Sequence, residues 1–171
     1  MESNVLRQLG ATTAWPMFPM YEWLLDVDAK SGKSAPMLAT AWSLEPDGAS
    51  YRFQLRKGVK FHGDWGEFSA QDFQAAVAEK TRPDAGGQSV LYWRQVLDKV
   101  DVVSPNEVVL RLKRPDSQFL DYVSAAVPGS EIFSKAALDK LGDPTPQSGP
   151  LPGTAPYQLD RKSTRLNSSH P

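Results

Sequence analysis

The chain has 171 residues, of which 40% are hydrophobic and 23% are charged. This composition lies close to the globular average and excludes disorder along the whole chain. The formal net charge of −1 lacks the basic excess of proteins that bind nucleic acid, so no nucleic-acid partner is expected. Cysteine is absent, which excludes disulfides, thiolate nucleophiles and zinc sites with cysteine ligands, and the two histidines lie far apart. We therefore expect neither a metal site nor a cofactor.

The opening residues, MESNVLRQLG, carry an acid at position 2 and lack the apolar segment that a signal peptide requires. Apolar runs elsewhere are far shorter than the ~20 residues of a membrane-spanning helix. Two interpretations stay open at this point: the protein is cytoplasmic, or its true N-terminus is missing.

The first half of the chain is predicted to be mostly extended. A short strand is predicted at Val5–Leu9, followed by one or two helical turns from Pro19 to Leu25. A turn is predicted at Pro46-Asp47-Gly48, where proline presets φ and glycine accepts a positive φ. Residues 51–56 alternate apolar and polar side chains, which is typical of a half-buried strand.

Two helices and a hairpin are predicted next. Ser69 can cap the first helix together with Asp72, three residues on. Pro83 ends that helix at about Thr81, because the residue before a proline disfavours the helical conformation. The second helix is predicted from about Ser89 to Leu97. The β-branched runs on either side of the sequence SPNE predict a hairpin with a type I turn.

The last third combines two further helices with one strand. We predict a helix over Asp116–Val127, a shorter one over Ser134–Leu141 that ends at Gly142, and a strand within Pro156–Leu159. The elements together predict an α+β fold with three or four antiparallel strands and about four helices. Residues 161–171 have no periodicity and resemble the translated read-through of a sequencing adapter. We interpret them as a foreign tail that packs on nothing.

A catalytic interpretation starts from His62, which Asp64 would orient as the general base of a hydrolase. No G-x-S-x-G sequence supplies a nucleophile, so a histidine in a turn is the favoured interpretation. The carboxylates of Asp64, Glu67 and Asp72 are closely spaced, but their order differs from that of an EF-hand loop. Solvated loop acids are therefore favoured over a cation site.

Aromatic side chains are more numerous than a small core needs. Small-molecule pockets are lined by aromatic and apolar side chains, and the same residue types also fill cores. Both interpretations apply to Trp15, Phe18, Tyr21, Trp23, Trp42, Trp65, Tyr92 and Trp93. The chemistry of the side chains by itself predicts an α+β binding module without a catalytic constellation.

One long segment carries a series of motifs. Residues 36–73, PMLATAWSLEPDGASYRFQLRKGVKFHGDWGEFSAQDF, contain P-x-L-A-x-x-W, a D-G turn, an aromatic-rich strand and L-R-x-G-V-x-F-H, in that order. VDVVSPNEVVLRLKRP and LPGTAPYQL continue the series to Leu159. This order resembles the family 5 extracytoplasmic solute-binding proteins of ABC transporters, the peptide- and nickel-binding group. Several motifs in one order make the resemblance far more specific than a single short pattern.

The resemblance implies a two-lobe fold like that of the type II periplasmic binding proteins, of which this chain would be an N-terminal fragment. Residues 1–27 would begin lobe one, residues 28–150 would form the small accessory domain, and residues 151–160 would be the first strand that returns to lobe one. The foreign tail would then be residues 161–171. Because most of lobe one is absent, residues 1–25 are expected to be poorly anchored.

The resemblance also implies a function. The protein would be the binding component of an ABC importer, a monomer that captures peptides or related small solutes in the periplasm and delivers them to the membrane permease. It would not be an enzyme. The alternatives are a hydrolase that uses His62 and Asp64, and a stand-alone interaction domain. The G-V-K-F-H motif is expected to be scaffold, and the ligand contacts of an intact homologue are expected at Trp15, Phe18, Tyr92 and Trp93.

Overall fold

The computed structural model describes residues 19–86, 89–127, 129–142, 151–159 and 166–168. The strand predicted at Val5–Leu9 and the candidate ligand contacts Trp15 and Phe18 lie outside these residues. The elements in chain order are β1 (Leu25–Val27), β2 (Ser34–Pro36), β3 (Ala39–Leu44), β4 (Ser50–Leu55), α1 (Ala70–Thr81), α2 (Val90–Val96), β5 (Leu97–Ser104), β6 (Glu107–Leu112), α3 (Phe119–Tyr122), α4 (Lys135–Leu141), β7 (Tyr157–Leu159) and β8 (Leu166–Ser168).

The central element is a four-stranded sheet with the strand order β3-β4-β6-β5, and each pair of neighbouring strands is antiparallel. Two hairpins, β3–β4 and β5–β6, build this sheet, and both confirm turns that the sequence predicts. Gly48 has a φ of 68° in the first turn, a conformation that glycine adopts at low cost. The α+β class predicted from the sequence is confirmed.

One face of this sheet carries the main hydrophobic core. Phe53, Val108 and Leu110 are fully buried there. On the opposite face, the guanidinium group of Arg52 forms ion pairs with the carboxylates of Glu45 and Glu107. Side chains alternate across a strand, and β4 therefore places its apolar residues in the core and its polar residues towards solvent, as predicted.

Helix α1 packs against the core with Phe73 and Val77 buried. Its N-terminus confirms the predicted capping, because the carboxylate of Asp72 accepts hydrogen bonds from the main-chain N–H and the hydroxyl of Ser69, at 2.9 and 2.8 Å. The helix ends at Thr81, as the proline that follows predicts. Helix α2 and helix α4 also agree with the predicted elements.

The helix predicted over Asp116–Val127 is wrong in its length. Only α3 is helical, because the backbone that follows it bonds to β1 instead. The N–H of Leu25 donates to the carbonyl of Val123 at 3.2 Å, and the N–H of Ala125 donates to the carbonyl of Leu25 at 3.0 Å. The Ser124 hydroxyl donates to the carbonyl of Asp121 and accepts from the Ala126 N–H, so it competes with further helical hydrogen bonds.

Two expectations for the start of the described chain are also wrong. Of the helical turns predicted from Pro19 to Leu25, only a 3₁₀ turn at Pro19 and Met20 is present, and Leu25 instead begins β1, which pairs with β2 in an antiparallel ladder. The expected weak anchoring does not hold for the described part of this region, since Met20, Tyr21, Trp23 and Leu24 are all buried. Apolar burial against partners that are distant in sequence overrides the local helical tendency.

The segment at 151–155 runs beside this buried opening region. The hydroxyl of Tyr21 donates to the carbonyl of Leu151 at 2.7 Å, and the N–H of Ser134 donates to the carbonyl of Pro152 at 3.1 Å. A Cβ atom on Gly153 would lie 2.0 Å from the carbonyl oxygen of Met20, so only glycine permits this close approach. These contacts join the two ends of the described chain.

The predicted strand near the C-terminus is confirmed as β7. It pairs with β8 in an antiparallel ladder, Tyr157 opposite Ser168 and Leu159 opposite Leu166. The expectation that the tail packs on nothing is therefore wrong for the backbone of β8, because extended backbone groups on β7 offer hydrogen-bond partners. The foreign origin of residues 161–171 and the domain limits at 27, 150 and 160 stay predictions.

Candidate functional site

An aromatic cluster lies between helix α2, strand β4 and helix α3. The rings of Tyr92 and Tyr122 are stacked, with centroids 3.4 Å apart and planes within 9° of each other. Phe119 stacks on Tyr51 at 5.2 Å and meets Trp93 edge-on at 6.0 Å. Such pairs stabilise a fold by about 0.5–1.5 kcal/mol beyond the area they bury. We call these five residues the aromatic cluster.

The two candidate ligand contacts in α2 occupy different environments. The side chain of Trp93 is 1% exposed and belongs to the main core, so it supports its neighbours and does not meet solvent. Tyr92 is half-buried, and Leu91 beside it is 65% exposed. Burial and the nearby carboxylate of Asp116 raise the pKa of Tyr92 above its ordinary value, so its hydroxyl stays protonated at neutral pH.

The structure thus retains Tyr92 as an accessible aromatic group and adds Tyr122, which the sequence did not single out. Tyr122 lies in a segment predicted to be an amphipathic helix, and its position there gave no sign of the stack with Tyr92. Trp15 and Phe18 lie outside the described residues, so their position relative to this pair stays a prediction.

A buried ion pair lies close to the N-terminus of α2. Lys80, near the end of α1, and Glu131 have side chains that are 4% and 5% exposed, and their Nζ and Oε2 atoms are 3.6 Å apart. Burial lowers the pKa of Lys80, and the charge of Glu131 partly opposes that shift. Burial raises the pKa of Tyr21 well above its ordinary value, and Glu131 adds to that shift.

His62 lies in a cleft of about 580 Å³ between the end of β4 and the segment at 153–158. Its main-chain N–H donates to the carbonyl of Gly153 at 2.9 Å, and its Nε2 atom contacts the carbonyl oxygen of Ala155. A general base needs a nitrogen that faces a nucleophile. Here the Nε2 atom of His62 instead bonds to the backbone and holds the 153–155 segment in place.

The closely spaced carboxylates have separate environments. Asp72 is buried and accepts hydrogen bonds from Ser69 and from the N–H of Lys135, whereas Asp64 and Glu67 are exposed. In the part of the chain that the structure describes, no group of three or more metal-ligating side chains comes together. Among these residues there is likewise no helix long and apolar enough to span a membrane.

Comparison with known proteins decides the family. The family model described as bacterial extracellular solute-binding proteins, family 5 Middle, matches residues 33–166. The chain belongs to this family. The resemblance drawn from the motifs between Pro36 and Leu159 is therefore confirmed.

Curated relatives within this family include glutathione-binding proteins. The glutathione-binding protein GsiB of Salmonella choleraesuis is 33% identical over 141 residues, which are 82% of this chain and 26% of that protein. GsiB of Escherichia coli K12 is 31% identical over the same share of each chain. The chain thus spans about a quarter of the length of the curated relatives it matches.

Solved structures of periplasmic binding proteins share the fold. The binding protein AgaA of A. tumefaciens R10, solved with agropinic acid, is 25% identical with a TM-score of 0.78, over 92% of this chain and 30% of that one. A dipeptide-binding protein of Pseudoalteromonas sp. SM9913, solved with Met-Leu, is 27% identical with a TM-score of 0.65, over 81% and 30%. These neighbours confirm that the chain is part of a type II periplasmic-binding-protein fold.

Proposed function

We propose that this family 5 chain is part of the substrate-binding component of an ABC importer. The protein captures peptides or related small solutes in the periplasm and delivers them to the membrane permease, as a monomer and without catalysis. The observation that carries the proposal is the family match over residues 33–166, which includes both the main sheet and the aromatic cluster. Because the Nε2 atom of His62 bonds to the carbonyl oxygen of Ala155, the hydrolase alternative is further disfavoured.

Peptides are the ligand class that we favour. The relatives named above are described with glutathione, Met-Leu and agropinic acid, which are all small polar molecules with carboxylate groups. A peptide offers flat amide groups that an aromatic ring can cover, and tyrosine does so at a low entropic cost because it has two χ angles. The partly exposed ring of Tyr92 suits this role.

We assign the ligand contacts to Tyr92 and, from the opening segment, to Trp15 and Phe18. Trp93, the next residue in α2, is buried in the core and meets Phe119 edge-on, so we do not assign it a ligand contact. The rest of the pocket would come from a second lobe. We therefore expect residues 1–160 by themselves to bind no di- or oligopeptide measurably, which calorimetry can check. Micromolar binding by these residues would contradict a pocket shared between two lobes.

The direct test joins residues 1–160 to the remaining length of a family 5 relative and measures peptide binding by calorimetry. Tyr92→Ala is expected to weaken binding by about 1–4 kcal/mol if this ring is a main contact. Tyr157→Ala is the matched control, because Tyr157 is also a part-exposed tyrosine but lies on β7. Equal affinity in both variants, with both folded, would move the ligand surface away from Tyr92.

A further inference from the structure

The buried ion pair of Lys80 and Glu131 needs a physical reason. Both side chains are at most 5% exposed, and their charged atoms are 3.6 Å apart, beyond hydrogen-bond distance. Removing two charges from water costs several kcal/mol for each ion, and a pair without good hydrogen bonds recovers only part of this. The pair is therefore a poor source of stability, and a positional role is the better explanation.

The second oxygen of Glu131 shows which segment the pair holds. Its Oε1 atom accepts a hydrogen bond from the N–H of Gly129 at 2.9 Å, in a fully buried position. Gly129 has a φ of 127°, and a Cβ atom there would lie 1.8 Å from the hydroxyl oxygen of Ser89. Glu131 thus fixes the backbone of Gly129, which packs closely against Ser89.

Ser89 in turn begins the helix that carries Tyr92. Its carbonyl accepts a hydrogen bond from the N–H of Trp93 at 3.0 Å, which closes the first turn of α2. Tyr92 lies within that turn, so a displacement of Ser89 would move its ring. The ion pair therefore connects the end of α1 to the start of α2 through Gly129.

The residues on the N-terminal side of Gly129 also contact the helix that carries Tyr92. Tyr122 stacks on Tyr92, and the residues directly after it are bonded to Leu25 in β1. Val123 and Ala125 are therefore held by β1, and Glu131 is held by Lys80. Next to these two anchors, Tyr122 stacks on Tyr92 and Gly129 lies close to Ser89.

We propose that Lys80 and Glu131 are positioning residues that set the orientation of the stacked Tyr92–Tyr122 ring pair. Given the proposed function, they thereby determine which aromatic surface the ligand meets. The positional claim itself concerns the ring pair and can be tested without a ligand.

The test replaces the ion pair by an apolar pair in the full chain, as Lys80→Met with Glu131→Leu. Replacing a buried ion pair by apolar residues is often neutral or stabilising, so we expect the folded state to be retained. Ring-labelled tyrosine NMR is expected to show loss of the Tyr92–Tyr122 cross-peaks, with Tyr92→Phe used for assignment. Lys80→Arg keeps the charge and is expected to keep the cross-peaks.

The matched control is Lys135→Met with Asp139→Leu, which removes an exposed ion pair on α4 and should leave the ring signals unchanged. If the Met/Leu pair fails to fold, Lys80→Met with Glu131→Gln decides, because it keeps the side-chain volume and the acceptor for Gly129. Weakened cross-peaks in that variant support the proposal. Unchanged cross-peaks in each folded variant would overturn it.

Peptide titration of the same variants, joined to the remaining length of a relative, separates the two proposals. Displaced rings with unchanged affinity would retain the positional role of Lys80 and Glu131 and refute Tyr92 as a ligand contact. Undisturbed rings in the Lys80 and Glu131 variants, together with weakened affinity in Tyr92→Ala, would refute the positional role of Lys80 and Glu131 and retain Tyr92 as a ligand contact.

Discussion

The four-stranded sheet and the joined ends of the described chain are stabilised in different ways. In the sheet, each hairpin pairs residues that are close in sequence, as Trp42 with Phe53 and Val102 with Val108. At the ends, the Tyr21 hydroxyl bonds to a carbonyl 130 residues away. A contact between residues close in sequence closes a short loop at a small entropic cost, whereas a contact across a long loop costs more. The sheet should therefore be the more robust region.

The largest expected effect comes from the core of the sheet. Phe53→Ala is expected to lower the free energy of unfolding by about 3–5 kcal/mol, because it leaves a cavity between the sheet and α1. Urea unfolding followed by circular dichroism measures this loss. Gln54→Ala, on the exposed face of the same strand, should change stability by less than about 0.5 kcal/mol. Similar losses in both variants would contradict the assignment of the two faces.

A smaller and more local effect is expected where the ends join. Gly153→Ala places a methyl group against the carbonyl of Met20, and overpacking of this kind costs about 1–3 kcal/mol. Amide hydrogen exchange should become faster at Leu25 and Ile132 but not in β4. Gly58→Ala is the control, since a Cβ atom there meets nothing within 4 Å and only the positive φ is strained. Equal acceleration in β4 would show that the two regions unfold as one unit.

The smallest effect concerns alkaline pH. Burial raises the pKa of Tyr21, so the folded protein keeps this proton while the unfolded chain loses it near pH 10. The stability that Tyr21 contributes is therefore present below about pH 10 and is lost as the pH rises further. Tyr21→Phe removes one hydrogen bond, which costs about 1 kcal/mol at neutral pH.

The difference in the free energy of unfolding between the wild type and Tyr21→Phe should therefore shrink as the pH rises above 10. Lys80 acts in the opposite direction, since its lowered pKa lets stability rise with pH below its ordinary value of 10.5. Lys80 is present in both proteins, so its contribution cancels in the difference between their free energies of unfolding. Urea unfolding at several pH values from 8 to above 10 measures the trend, and a constant difference would place Tyr21 in a less buried environment.

The sequence identified Tyr92 as a candidate, but most of the candidate site could not be predicted from it. The aromatic pair in α2 attracts attention as an excess of aromatic residues, yet the sequence does not say which ring is buried. Helical geometry turns neighbouring side chains by about 100°, so Trp93 lies in the core while Tyr92 lies at its edge. Tyr122 could not be identified, because its partner lies in another helix and the stack depends on the shortened α3.

What the sequence by itself determined is local in origin. The glycine turn after β3, the apolar alternation of β4, the Ser69–Asp72 cap and the end of α1 all depend on residues a few positions apart, and the order of the motifs identifies the family. Only the tertiary structure decided the strand at Leu25–Val27, the Lys80–Glu131 pair and the stack of Tyr92 on Tyr122. These features depend on contacts between distant segments, and burial at those contacts outweighs the weak conformational preferences of the residues involved.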